Sequence, residues 1–375
     1  MMGGYKAIIN VLASNYAGSL QSDVLFSKLR GYKSALSHAM DGENVPVEVY
    51  DKLLAAIHKA IPYLKRYIAY RKKKLGYTQH KAYDMYVNVQ RNKEIKLSYD
   101  EAFAQVREGL APLGKDYIAL LDKAKNERWI DVYESEGKRS GGYSWGSNGT
   151  PPYILLNYNG TMHEVFTIAH ELGHSMHSYL SDKRQPYAKA QYEIFVAEIA
   201  STVNEMLLIR HMLKGANAAL KKYLLTYLLD MFKGTVFRQS LFAEFEKEAH
   251  EVIEKGEGLS SDVLCKIYED LNIKYYGSKY ITDVVKYEWA RIPHFYKAFY
   301  VYKYATGLIA ATAISESIFS GEPNAIERYM EFLSAGGSMP PLDILKTAGV
   351  DLLTDEPYKK AFGLFAATLK ELNYL

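Results

Sequence analysis

The sequence predicts a mainly α, multi-helix body with a small β-hairpin or sheet set beside one central helix. Three observations predict it. Apolar residues recur at spacings of three and four through most of the chain, the period of one helix face. Only two short stretches, 130–133 and 152–158, read as strands, and a glycine-rich run joins them. Directly after them, Thr167 to Leu180 is free of proline and carries Ile168, Leu172, Met176 and Leu180 on a helical stripe.

Taken in order, residues 5–38 read as two helices and 45–75 as one longer helix. In the second, Val49, Leu53, Ile57, Ile61 and Leu64 form the apolar face. Pro46 suits its first turn and Pro62 is expected to kink it. The run Arg71-Lys72-Lys73-Lys74 reads as a last helical turn answering the dipole. Residues 99–128 read as a helical pair, with Asp100 a candidate cap and Pro112-Leu113-Gly114 the break. Ile130-Asp131-Val132-Tyr133 alternates as a strand, 137–146 is a glycine-rich loop, and 152–158 is strand-like again. That loop lacks the G-x-x-x-x-G-K-[ST] pattern, so a phosphate cradle is rejected. Helices follow at 192–213, 216–232, 234–254 and 259–275. Leu224, Leu228 and Phe232, then Leu241, Phe245 and Ala249, form core stripes. The tail, 323–375, reads as short helices with a turn-rich loop at 335–341.

Composition excludes several classes. Hydrophobic residues are 48% and charged residues 24%, an ordinary globular balance rather than disorder. A net charge of +3 gives no case for nucleic acid or an acidic membrane as partner. No apolar run reaches the roughly 18 residues of a membrane span, and no secretory leader is visible. The lone Cys265 forms no internal disulfide and suits a reducing, cytoplasmic setting.

The chemistry concentrates at His170-Glu171-Leu172-Gly173-His174. On a helix, residues four apart lie one turn apart on nearly the same side, so two imidazoles converge on one point. H-E-x-x-H is the pattern in which the histidines hold zinc and the glutamate handles the proton of a zinc-bound water. Gly173 weakens a helix by roughly 1 kcal/mol against alanine, so it is expected to admit a close neighbouring segment. A catalytic zinc usually has three protein ligands and a water. Glu198, alone among the small and apolar residues of 195–202, is the candidate third ligand, because a carboxylate is costly to bury there without a cation. Glu205 lies on roughly the same face. It reads equally as support for a ligand or as an ordinary exposed residue. His177 is expected to line the site rather than to ligate, since a fourth protein ligand would close the water position. His163 flanks the pair. His38, His58 and His80 lack metal spacing and read as structural or solvated. The strand before the helix could pair with an extended peptide and lay its scissile bond over the metal, or could simply cover the helix.

Several motifs in order carry a family resemblance. They are L-R-G-Y-K-S-A-L at 29–36, V-P-V-E-V-Y-D at 45–51, G-K-R-S-G-G-Y-S-W-G at 137–146, H-E-L-G-H-S-M-H-S at 170–178, F-V-A-E-I-A-S-T at 195–202, and R-I-P-H-F-Y followed by Y-V-Y-K-Y-A-T-G at 291–307. Through most of its length the chain resembles the oligoendopeptidase F branch of the thimet-oligopeptidase superfamily. The resemblance implies a zincin-type metallopeptidase body with one Zn²⁺ per chain held by His170, His174 and Glu198. It implies Glu171 as general base and His294, Tyr300 and Tyr304 as groups that bind substrate and the oxyanion. Tyr300 and Tyr304 are four apart and are expected to share a helix face, with Tyr302 facing elsewhere on an ideal helix. Short peptides are the implied substrates, admitted to a channel that excludes folded proteins. The implied domains are a helical wall over 1–128 and a catalytic region over 129–375, together one continuous catalytic domain. Members of that family carry a further helical portion ahead of where this chain starts, so a more open channel is expected. Two rival readings follow. One is a zinc carboxypeptidase of similar architecture, with Arg291 the basic group available for a terminal carboxylate. The other is a non-catalytic peptide-binding subunit.

Overall fold

The computed structural model describes residues 2–89 and 96–374. Helices dominate these residues, and the β structure is one sheet of three short strands. The chain divides into two compact units. One comprises 2–89, 229–306 and 365–374; the other comprises 96–228 and 307–364. No helix among the described residues is long and apolar enough to cross a membrane.

In the first unit, helices Ile9–Leu29, Val47–Leu75, Arg238–Glu254 and Ser261–Tyr276 enclose an aromatic-rich core. Tyr16, Val49, Leu53, Ile57, Leu64, Phe245 and Tyr268 are fully buried there. Pro46 is the N-cap of Val47–Leu75, and the helix continues through Pro62 without a break. Burial of Ile57, Ile61 and Leu64 on either side offsets the one backbone hydrogen bond that a proline forgoes. Lys72, Lys73 and Lys74 do occupy the last turn, before Gly76 at a φ of 70°. Arg71 departs from that reading. It is fully buried and donates to the carbonyls of Asp84, Met85 and Val87, fastening the following segment. His58 meets both Glu244 carboxylate oxygens at 3.0 Å, and His80 is buried. The break expected near 233 is absent. A π-helical turn over Phe232–Phe237 carries the chain from Ala218–Met231 into Arg238–Glu254, so Gly234 interrupts nothing.

In the second unit, Tyr99–Gly109 is capped by Ser98, not Asp100. The Ser98 N–H donates to Glu101 and the Glu101 N–H donates to Ser98 Oγ, a reciprocal pair that leaves Asp100 inside the first turn. The break comes at Ala111–Leu113, followed by Gly114 at a φ of 94° and the helix Lys115–Asn126. Strands β1 (Ile130–Asp131), β2 (Tyr143–Trp145) and β3 (Tyr153–Leu155) pair in the order β1-β3-β2, with β1 parallel and β2 antiparallel to β3. Strand β2 lies inside the run read as loop. It is three residues long with both aromatic side chains exposed, so no buried alternation marked it. Helices Met162–Arg184 and Ile194–Gly215 follow and pack on each other. The tail holds Ala325–Leu333 and Pro341–Thr347, then Glu356–Tyr374, which at 19 residues is longer than expected and whose residues from 365 on belong to the first unit.

Candidate active site

The site is built on the helix Met162–Arg184, with Glu164 in its first turn and Lys183 and Arg184 in its last, as the dipole favours. Its buried face includes Ala169, Leu172, Gly173 and Met176. A Cβ on Gly173 would lie 2.5 Å from Ser201 Cα and 2.7 Å from the Ala200 carbonyl oxygen. The glycine therefore sets how closely the 194–215 helix approaches. Asn204 locks the same interface. Its side-chain amide donates to the Ala169 carbonyl at 3.0 Å and its oxygen accepts from Tyr117 OH at 3.1 Å.

That approach brings three donor atoms together. His170 Nε2 and His174 Nε2 are 3.2 Å apart. Glu198 Oε2 lies 3.5 Å from the first and 3.6 Å from the second. Two ligands about 2.0–2.1 Å from a tetrahedral zinc are about 3.3–3.4 Å from each other. The three edges bracket that value, so the donor set fits the ion in size and in kind. The other nitrogen of His170 is occupied. Its Nδ1 lies 2.6 Å from Glu205 Oε1, which fixes the proton there and turns the Nε2 lone pair toward the donor set. Tyr227 OH donates to the second Glu205 oxygen at 3.3 Å. Glu205 is thus buried against a candidate ligand, which decides between the two readings its spacing left open.

Charge follows geometry. Burial works against a charged His170, but Glu198 and Glu205 overcome it and hold the imidazole well above its ordinary value. Burial also works against an ionised Glu198, and the two imidazoles hold that carboxyl far below the usual range. Glu171, 6% exposed, points differently. Burial raises its pKa while the two histidines pull the other way, and its Oε2 has no hydrogen-bond partner. Gly142, the residue before β2, passes close over it; a Cβ there would meet Glu171 Oε1 at 3.2 Å. His170, Glu171, His174 and Glu198 line one cavity of about 860 Å³, together with β2 and Tyr187, Gln191 and Tyr192.

A model of peptidase family M3 matches residues 6–364. The chain belongs to this family. M3 peptidases are generally zinc-dependent. Oligopeptidase PepF of Bacillus subtilis is 44% identical over 375 residues, covering 100% of this chain and 56% of that protein. The chromosomal oligoendopeptidase F of Lactococcus lactis subsp. cremoris is 44% identical over 383 residues, covering 99% of this chain and 64% of its own. The solved oligoendopeptidase-F from Enterococcus faecium superposes with a TM-score of 0.80 at 33% identity, covering 100% of this chain and 61% of that one. This M3 chain therefore spans between half and two thirds of the length of these relatives.

The remaining predicted residues of the M3 chain fall as follows. His177 is buried with its ring stacked on Tyr192, 3.7 Å between centroids and 5° between planes. It lies outside the donor set. His163 is exposed. In the first unit, His294, Tyr300 and Tyr304 form one ring cluster, with centroids 5.9, 6.0 and 5.5 Å apart pairwise. The route to it differs from the expected shared helix face. Tyr300 precedes the helix Tyr302–Phe319, and Phe299 turns the chain at a φ of 53°. The Phe299 N–H donates to Glu246 Oε1 at 3.0 Å, and burial pushes the fully buried Glu246 carboxyl well up. Tyr302 is buried against Tyr50, 5.1 Å away. Arg291, which a carboxypeptidase reading needs, is ion-paired to Glu288 at 2.8 Å. The loop at 335–341 has a structural use, since the Gly337 N–H donates to the Lys189 carbonyl at 2.8 Å. Sequence reasoning missed Tyr227 and Gly142. It also missed Ser178 and Asp182 as cavity residues, although both continue the four-residue spacing from His170.

Proposed function

We propose that this chain is a zinc-dependent endopeptidase that hydrolyses peptide bonds in short oligopeptides. The observation that carries the reading is the triangle of donor atoms with Glu171 beside it in one cavity. His170, His174 and Glu198 would hold the ion. Zinc bound there polarises a carbonyl and lowers the pKa of water.

Glu171 takes the proton of the attacking water and passes it to the leaving amine. Burial raises its pKa, which makes the carboxylate a stronger base toward that water. Glu205 holds His170 in the tautomer that presents Nε2. We assign His294, Tyr300 and Tyr304 to substrate and oxyanion binding on the family resemblance. Such a donor is worth about 3–4 kcal/mol in the transition state. Strand β2 is an edge of its sheet, and a peptide laid along it would lie beside Gly142 and Glu171.

The test is metal analysis joined to cleavage of an internally quenched peptide blocked at both ends. One zinc per chain and chelator-sensitive cleavage are expected. Cleavage that requires a free carboxyl terminus would instead establish a carboxypeptidase, and binding without cleavage a non-catalytic subunit.

A further inference from the structure

We propose that Asp182 forms a subsite in this cavity for a positive charge on the peptide, a few residues from the scissile bond. The proposal rests on the endopeptidase reading. The helix that carries the ligands carries this residue too. His170, His174, Ser178 and Asp182 follow at intervals of four and line the same cavity in a row. At 1.5 Å per residue, Asp182 lies about 12 Å along the helix from His174. An extended peptide covers that distance in about three or four residues.

The surroundings select a cation. Among the described residues, no lysine or arginine lines the cavity. Beyond the donor set and Glu171 its walls include the rings of Trp145, Tyr187 and Tyr192, the amide of Asn148 and the hydroxyl of Ser178. Trp145 and Tyr187 are largely exposed, so their faces are free to receive a cation. Ser178 and Tyr192 satisfy each other at 2.9 Å. Asp182 forms no ion pair among the described residues. Partial burial raises its pKa, and the Asn148 amide opposes that. On its other side Asp182 borders a shallow groove with Lys123 and Lys183. Lys123 is held over the rings of Trp129 and Tyr179, 5.8 and 5.6 Å from their centroids, and pairs with Glu127 at 3.9 Å. Neither lysine is ion-paired to Asp182 among the described residues, so the carboxylate is open to an incoming charge.

That charge could come from a lysine or arginine side chain or from the peptide's own terminal ammonium. Three sets of quenched peptides separate them. One is acetylated, with lysine moved one residue at a time away from the cut on either side. The second is identical with leucine, and the third has no lysine but a free amino terminus at matching distances. The readout is the ratio of kcat/KM for each charged peptide to its neutral counterpart. At one position about three residues from the cut, on one side only, a ratio of about tenfold is expected, the sum of a screened ion pair and one cation–π contact. Asp182→Asn should bring the ratio to about one, and Asp182→Lys should invert it. Peptide affinities for Glu171→Gln give the same ratio without turnover. Ratios near one at every position in both measurements overturn the subsite and leave the endopeptidase reading intact. Absent cleavage with the affinity ratio preserved would instead overturn the endopeptidase reading alone.

Discussion

Replacing Gly173 by alanine adds one methyl group at the tightest point between the two helices that carry the donor atoms. Its Cβ would lie 2.5 Å from Ser201 Cα, 2.7 Å from the Ala200 oxygen and 2.8 Å from Ser201 N. All three are backbone atoms, so no side chain can rotate away, and ordinary contact begins near 3.4 Å. The 194–215 helix must retreat by roughly 1 Å. Overpacking of this kind costs about 1–3 kcal/mol, against a gain of about 1 kcal/mol in helix propensity. A net loss of up to about 2 kcal/mol is expected in urea unfolding. The same retreat moves Glu198, which sits one turn before Ser201 and is tied to it by a Ser201 Oγ bond to the Glu198 carbonyl at 3.0 Å. The edges of 3.5 and 3.6 Å from Glu198 to the imidazoles would open beyond what one zinc spans. Zinc affinity, read by competition with a chromophoric chelator, should fall by about tenfold or more. A Gly173→Ala protein as stable as the parent, binding zinc equally well, would refute the claim that this glycine sets the ligand geometry.

Further substitutions probe the other parts of the site. Glu171→Gln should keep one zinc per chain while kcat falls by about 10²–10⁴-fold, measured by metal analysis and peptide turnover. Glu205→Ala removes the partner of His170 Nδ1 and should weaken zinc binding by about 10–100-fold, with a smaller effect for Glu205→Gln. His177 is a pH probe. Burial lowers its pKa from 6.5 to about 3, so its contribution to stability is complete above pH 6.5 and declines as pH falls toward 3. At pH 5 the loss is about 2 kcal/mol. His177→Phe should flatten urea stability between pH 7 and 5 by that amount, and an unchanged slope would show that His177 does not titrate there.

Local pattern told most where one face of one helix was concerned. The spacing of His170 and His174, the isolation of Glu198 among small residues and the oddity of Gly173 were all visible, because each is a property of a few consecutive residues. What escaped depends on residues distant in sequence. Arg71 reads as one of four basic residues, yet three carbonyls from 84–87 bury it while its neighbours stay at the helix end. Asp100 and Ser98 are both good caps, and only the reciprocal bond with Glu101 decides between them. Strand β2 has no inward face to mark it. Tyr300 was grouped correctly with Tyr304 for an incorrect reason. A left-handed residue bonded to Glu246, 53 positions away, makes the cluster, not a shared helix turn.

The local charge balance is an independent argument for a cation at the site. Glu171, Glu198 and Glu205 bring three carboxylates to two imidazoles, and Glu171 and Glu205 are both buried. Even with one imidazole protonated the group stays net negative, and no lysine or arginine among the described residues lines the cavity. Burying unpaired carboxylates costs several kcal/mol each, and such groups normally neutralise by taking up protons. Glu171 moves in that direction. Glu198 does not, because the imidazoles hold it ionised. Two Nε2 atoms 3.2 Å apart can share at most one proton between them, so lone pairs still converge on the centre of the triangle. A divalent ion satisfies those lone pairs and offsets the carboxylates together, whereas a proton can do only one of these. The same positive charge would keep Glu198 ionised and draw Glu171 back toward the value at which a carboxylate accepts a proton from water.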